Sequence, residues 1–141
     1  MRSPVATGIR ALIIDDEPAV RAFVERALYE AGYETMTAPD GLAARDLVHQ
    51  SGPPHIVITD ESMPGMPGHE FSQWIRQQHP GVKVLYLSGW IDPVLRDDHE
   101  LWEDEGYLPK PCTMRGLLQA VSLLLFRRLE RPIAPPPTAG P

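Results

Sequence analysis

The chain of 141 residues has one cysteine, no surplus of basic residues and no long apolar run, and each shortage removes a class of protein. Cys112 alone cannot form an intramolecular disulfide, which suits a reducing compartment and argues against a disulfide-stapled secreted scaffold. It reads as a small buried or half-buried residue at a helix start. With 13 basic residues against 19 acidic ones and a net charge of −6, the chain lacks the electrostatic footprint of a nucleic-acid binder. The first eight residues have no apolar core of a secretory signal, and no stretch approaches the ~18 apolar residues of a membrane span. These absences point to a cytoplasmic protein with neither nucleic acid nor membrane as partner. His49, His55, His69, His79 and His99 show no paired spacing of zinc ligands and are read as surface or helix-end residues. No internal repeat is present.

What is there is an ordinary globular composition, 43% hydrophobic and 23% charged, in a length that accommodates one domain. Short apolar runs alternate with longer amphipathic stretches, the arrangement of an α/β domain with a parallel sheet. Residues 11–14 form a continuous apolar run, as a strand buried on both faces does, and stop at Asp15 and Asp16. Pro18 fits the first turn of a helix whose inward stripe is Val20, Phe23, Val24, Ala27, Leu28 and Ala31, closed by Gly32. Residues 33–38 alternate like a strand nearer the sheet edge, and residues 42–48 read as a second helix ended by Ser51, Gly52, Pro53 and Pro54. Residues 55–60 are a β-branched central strand with Asp60 at its exit.

The Gly- and Pro-rich residues 63–68 form a loop into a helix that buries Phe71, Trp74 and Ile75. Residues 82–87 are a fourth strand running into Ser88 and Gly89, and a helix follows with Val94, Leu95, Leu101 and Trp102 inward. Residues 106–111 give a short fifth strand. Thr113 caps a last helix with Leu117, Ala120, Val121, Leu124 and Leu125 inward, leaving Leu118, Leu123, Phe126 and Leu129 largely off that stripe. The expected division is a flexible extension at 1–8, a domain at 9–130 and a Pro-rich disordered tail at 131–141.

In an open parallel sheet, ligands bind at the carboxyl ends of the strands. There stand Asp15 and Asp16 after strand one, Asp60 at the end of strand three, Ser88 at the end of strand four and Lys110 after strand five. Three carboxylates held close repel one another unless a cation or protons intervene, so the cluster calls for a hard divalent ion, magnesium best of all. Asp60 is then a plausible nucleophile for a phosphoryl group, with the metal and Lys110 neutralising charge.

Four stretches in order carry a family resemblance: Leu-Ile-Ile-Asp-Asp-Glu-Pro at 12–18, Val-Ile-Thr-Asp-Glu-Ser-Met-Pro-Gly-Met at 57–66, Leu-Tyr-Leu-Ser-Gly at 85–89 and Tyr-Leu-Pro-Lys-Pro at 107–111. Over residues 9–130 the chain resembles the receiver domain of two-component response regulators. The resemblance implies a flavodoxin-like, doubly wound (βα)5 sandwich with strand order 2-1-3-4-5. It implies that Asp16 and Asp60 coordinate Mg2+ directly, Asp15 through water and Ser62 through its backbone carbonyl. Asp60 would accept the phosphoryl group, Lys110 and Ser88 would contact its oxygens, Ser88 and Tyr107 would act as the switch pair, and the Lys110–Pro111 bond would be cis.

The implied partners are a sensor histidine kinase or histidine phosphotransfer protein as donor and a downstream protein as target. The apolar surplus of the last helix adds a phosphorylation-dependent homodimer to that set. A stand-alone regulator, a relay intermediate and the receiver part of a hybrid kinase all suit the length. The implied chemistry is self-phosphorylation and autodephosphorylation, without turnover of a separate substrate. A magnesium phosphatase with an aspartyl nucleophile is the competing enzyme class, but it usually needs a second carboxylate two residues after the nucleophile, where this chain has Ser62. A degenerate receiver with a purely structural role is disfavoured, because every charged group the chemistry needs is present. Ser62, and Trp90 two residues past Ser88, are expected to tune the lifetime of the phosphoryl group.

Overall fold

The computed structural model describes residues 8–88 and 104–127. Five strands, β1 (Arg10–Ile14), β2 (Glu34–Ala38), β3 (Ile56–Asp60), β4 (Lys83–Ser88) and β5 (Glu105–Pro109), pair in parallel in the order β2-β1-β3-β4-β5. The described helices are α1 (Pro18–Glu30), α2 (Gly41–Ser51), α3 (Gly68–Gln78) and α4 (Met114–Phe126). Among the described residues no helix is long and apolar enough to cross a membrane. The expected helix after the fourth strand with Val94, Leu95, Leu101 and Trp102, together with Trp90, Leu129, residues 1–7 of the expected extension and the whole expected tail, lies outside the described residues.

Alternation along the strands divides the interior into two layers. Ala11, Ile13, Ile56, Ile58, Leu85 and Leu87 point to the face covered by α1 and α4, where Val24, Ala27, Leu28, Leu117 and Val121 meet them. Leu12, Ile14, Val57, Val84 and Tyr86 point to the face of α2 and α3, against Ala44, Val48, Phe71 and Ile75. Both faces of the central strands are therefore apolar, which is why residues 11–14 and 56–58 read as unbroken hydrophobic runs. Truncating one of the buried leucines or isoleucines to alanine costs about 2–5 kcal/mol, a large part of a small domain's stability.

Local chemistry sets the helix ends. Pro18 begins α1, the Asp40 carboxylate accepts from the Ala43 amide at 2.8 Å at the start of α2, and the Thr113 hydroxyl accepts from the Gly116 amide at 2.9 Å at the start of α4. Gly32 and Gly52, at φ 103° and 86°, let the chain leave α1 and α2 through a backbone region that side chains disfavour.

Two expected inward faces need correction. Phe23 is 36% exposed, because a helix step turns by roughly 100° and carries it to the margin of the stripe centred on Val24 and Ala31. Leu118 is partly buried against the α1-side core, since it lies within about 60° of Val121 around the helix. Among the described residues of that set, Leu123, 47% exposed, faces outward, and Trp74 is only half-buried on α3.

Candidate functional site

β1 delivers Asp15 to the carboxyl edge of the sheet, and three contacts fix it there. Its amide donates to the Ala38 carbonyl at 3.2 Å, its carbonyl accepts from the Arg21 guanidinium at 2.6 Å, and its Oδ1 accepts from the Glu17 amide at 2.8 Å. Asp15 is 1% exposed, and its buried Oδ2 makes no well-formed hydrogen bond, although the Lys110 ammonium stands 3.1 Å away. A buried carboxylate oxygen with only an ion-pair neighbour has coordination capacity to spare.

β3 delivers Asp60. Its Oδ1 accepts from the Ser62 amide at 3.3 Å, which aims the carboxylate along the edge, and the Thr59 hydroxyl donates to its carbonyl at 3.0 Å. α3 starts so close to the end of β3 that a Cβ on Gly68 would strike the Asp60 carbonyl oxygen, while the Gly68 amide donates to the Glu61 carbonyl at 2.9 Å. Only a residue without a side chain fits there.

β5 and the turn after it deliver Lys110, whose amide donates to the Ser88 carbonyl at 2.8 Å and whose bond to Pro111 is cis, as the resemblance implies. Its ammonium lies 3.1 Å from Asp15, 3.4 Å from Asp60 and 3.4 Å from Glu17. Burial disfavours the charged ammonium, but the contacts with Asp15 and Asp60 outweigh it and hold the group above its ordinary 10.5. Burial chiefly pushes the Asp60 carboxyl above 3.8, with Lys110 pulling the other way.

Carboxylate oxygens of Asp15, Asp16 and Asp60 all lie within 4.8 Å of one another. Among the described residues the Lys110 ammonium pairs with three carboxylates, Asp15, Glu17 and Asp60, while Asp16 adds a fourth beside them, and the remaining negative charge fits a divalent cation with oxygen ligands. Asp16 is exposed, so an incoming ion and its waters can reach the cluster from solvent. Ser88 is 8% exposed at the end of β4, where Leu87 pairs with Asp60. Tyr107 is half-buried with its ring 5.1 Å from that of Tyr86, and burial, then the charges of Glu61 and Glu105, keep its hydroxyl protonated beyond its usual range.

The structure thus brings Asp15, Asp16, Asp60 and Lys110 together and sets Ser88 beside them, with Tyr107 lower on β5. Ser62 touches Asp60 through its amide. Sequence reasoning missed the Glu17 pairing to Lys110 and the Arg21 anchor on Asp15. The Glu17 pairing was within reach, because Glu17 stands in the same acidic run. It also missed Gly68, for which the signal was a glycine at the junction of loop and helix.

A doubly wound sheet in this order, with three carboxylates and a lysine meeting at its carboxyl edge, defines an α/β domain whose acidic cluster could hold a cation. The response regulator receiver domain model matches residues 11–122, and the chain belongs to that family. It is a phosphoacceptor of two-component signalling.

The response regulator receiver protein CpdR of Brucella abortus is 28% identical over 117 residues, spanning 83% of this chain and 97% of CpdR. The sensor kinase CckA of the same organism is 31% identical over 118 residues, and there the match spans 83% of this chain but 12% of the kinase. The structure of the chemotaxis protein CheY4 of Vibrio cholerae superposes with a TM-score of 0.75 at 29% identity, covering 83% of this chain and 98% of CheY4. The receiver domain of the hybrid histidine kinase CckA gives a TM-score of 0.69 at 29% identity, covering 82% and 98%.

Proposed function

We propose that Asp60 is the phosphoacceptor and that Asp15, Asp16, Asp60 and the backbone carbonyl of Ser62 hold Mg2+ beside it. The observation that carries this reading is the mutual approach of the three carboxylates within 4.8 Å, with the Lys110 ammonium 3.4 Å from Asp60. An Asp60 carboxylate oxygen attacks phosphorus, the bond from phosphorus to the donor breaks with its electron pair leaving on the donor, and an acyl phosphate results. Bound magnesium supplies charge neutralisation to the phosphoryl oxygens. The Ser62 amide orients the acceptor carboxylate, and Lys110 stays cationic to pair with the transferred group. Ser88 donates to a phosphoryl oxygen, and Tyr107 shifts in concert with it, carrying the change to the β4–β5 face.

A sensor histidine kinase or histidine phosphotransfer protein donates, in the cytoplasm, to a domain spanning residues 9–130. A downstream protein or a second copy of the chain reads the changed surface. The domain turns over no separate substrate. Incubation with acetyl phosphate followed by intact-protein mass spectrometry tests this. Labelling should require magnesium and vanish in Asp60→Asn, while Lys110→Ala should keep magnesium binding and lose the structural response to beryllofluoride. Full labelling in excess chelator, or a stable adduct on Asp60→Asn, contradicts the assignment.

A further inference from the structure

Glu105 opens β5 at the end of the sheet opposite the acidic cluster and is 9% exposed, so its carboxylate needs partners to be tolerated there. Its Oε2 accepts from the Ser72 hydroxyl at 2.9 Å and from the Tyr86 hydroxyl at 3.2 Å, with the Arg76 guanidinium at 3.8 Å. Those partners come from α3 and β4, and Ser72 and Tyr86 are 1% and 2% exposed. Tyr86 stands opposite Tyr107 in the β4–β5 register, and the two rings pack at 5.1 Å with 30° between their planes. Alternation along each strand puts Tyr86 and Ser88 on one face of β4, and Glu105 and Tyr107 on the same face of β5. Tyr107 therefore rests on a ring whose hydroxyl end is tied by Glu105 to α3.

We propose that Glu105 is a positioning residue for Tyr107: by fixing Tyr86 it favours the observed packing of the Tyr107 ring and so opposes its displacement when Asp60 is phosphorylated. The proposal rests on the reading of Tyr107 as a switch residue. Because Glu105 takes no part in the acidic cluster, it changes the conformational equilibrium and leaves the acceptor chemistry intact. By linkage, whatever disfavours the displaced Tyr107 also weakens the ligand that drives the displacement.

The test is fluorine NMR on the full chain labelled with 3-fluorotyrosine, with Tyr107→Phe to assign the Tyr107 resonance, during a beryllofluoride titration in saturating magnesium. In the native chain that resonance moves on titration. In Tyr86→Phe and Glu105→Ala it starts part of the way toward the bound position, and the half-saturating concentration falls about threefold. Magnesium affinity by calorimetry is unchanged. Glu105→Gln behaves as native, since its amide oxygen still accepts from both hydroxyls. Tyr86→Phe removes a single oxygen and keeps the test informative where Glu105→Ala does not fold.

A half-saturating concentration equal to or above the native value in Tyr86→Phe overturns the role of Glu105, as does a Glu105→Gln chain that differs from native. If the native Tyr107 resonance does not move at all, Tyr107 is no switch residue, and both readings fall together. Movement in the native chain with unaltered variants removes the Glu105 role alone.

Discussion

Asp60 sits in its site at a cost. Burial raises its carboxyl above 3.8, so this residue favours the fold most when protonated, below its ordinary value, and the contribution is lost as the pH rises through the folded value. At neutral pH the ionised carboxylate is a net burden that Lys110 only partly relieves. Asp60→Asn in chelator at pH 7 is therefore expected to raise the thermal unfolding midpoint in calorimetry. Magnesium should stabilise the native chain more than the variant and narrow the gap, because the cation binds the native carboxylate cluster. A less stable Asn variant in chelator would show that the Lys110 pairing outweighs burial.

Cys112 offers an independent check on local burial. Its thiol is pushed above 9.0, chiefly by burial and against the pull of Lys110. Alkylation by iodoacetamide at pH 8 should be slower than for free cysteine, with a rate that keeps rising past pH 9. A rate already level at pH 8 would contradict that environment.

At the scale of elements, the site depends on how closely α3 follows β3. Gly68→Ala places a methyl group against the Asp60 carbonyl oxygen, so it should push the acceptor strand end or the helix start aside. Acetyl phosphate labelling should fall at least tenfold while circular dichroism stays near native. Unchanged labelling would mean that the junction yields without moving Asp60. At the other end of the chain, Thr113→Ala deletes the cap of α4 and should cost about 1 kcal/mol in a urea titration, leaving magnesium affinity unaltered.

The strands and most helices were legible because their signals are local. The apolar runs of β1 and β3, Pro18 at a helix start and Thr113 before an apolar stripe each declare an element from a few residues. The acidic cluster was legible because parallel topology sends every strand end to one edge, so Asp15, Asp16, Asp60 and Lys110 had to meet. Contacts between side chains distant in sequence were not legible. Nothing in Asp-Glu-Gly at 104–106 marks Glu105 as buried, because its solvation is replaced by Ser72, Arg76 and Tyr86 from other elements. Phe23 and Leu118 show the same limit on a helix, where residues at the margins of a stripe are assigned only by the neighbour that packs there.

At the scale of the whole molecule, the net charge of −6 and the acidic edge, which Lys110 compensates only in part, favour the approach of a cation. The proposed reading by a second copy of the chain belongs to the same scale. Leu123 is exposed on α4, whose other face packs on α1, β4 and β5, so a change at the β5 edge reaches this helix directly. Sedimentation velocity should show a beryllofluoride-dependent shift in the native chain that Leu123→Glu abolishes. A shift that survives the substitution places the contact elsewhere, and no shift in the native chain removes phosphorylation-driven dimerisation.

The central claim is that one carboxylate, Asp60, takes the phosphoryl group. An acyl phosphate is reduced by borohydride to an alcohol, which leaves a stable mark on the acceptor side chain. The most direct measurement is peptide mass spectrometry after magnesium-dependent phosphorylation and borohydride treatment. Homoserine at position 60, and at no other aspartate, is the predicted result. Homoserine at Asp15 or Asp16, or a phosphorylated chain with an unmodified Asp60, would contradict it.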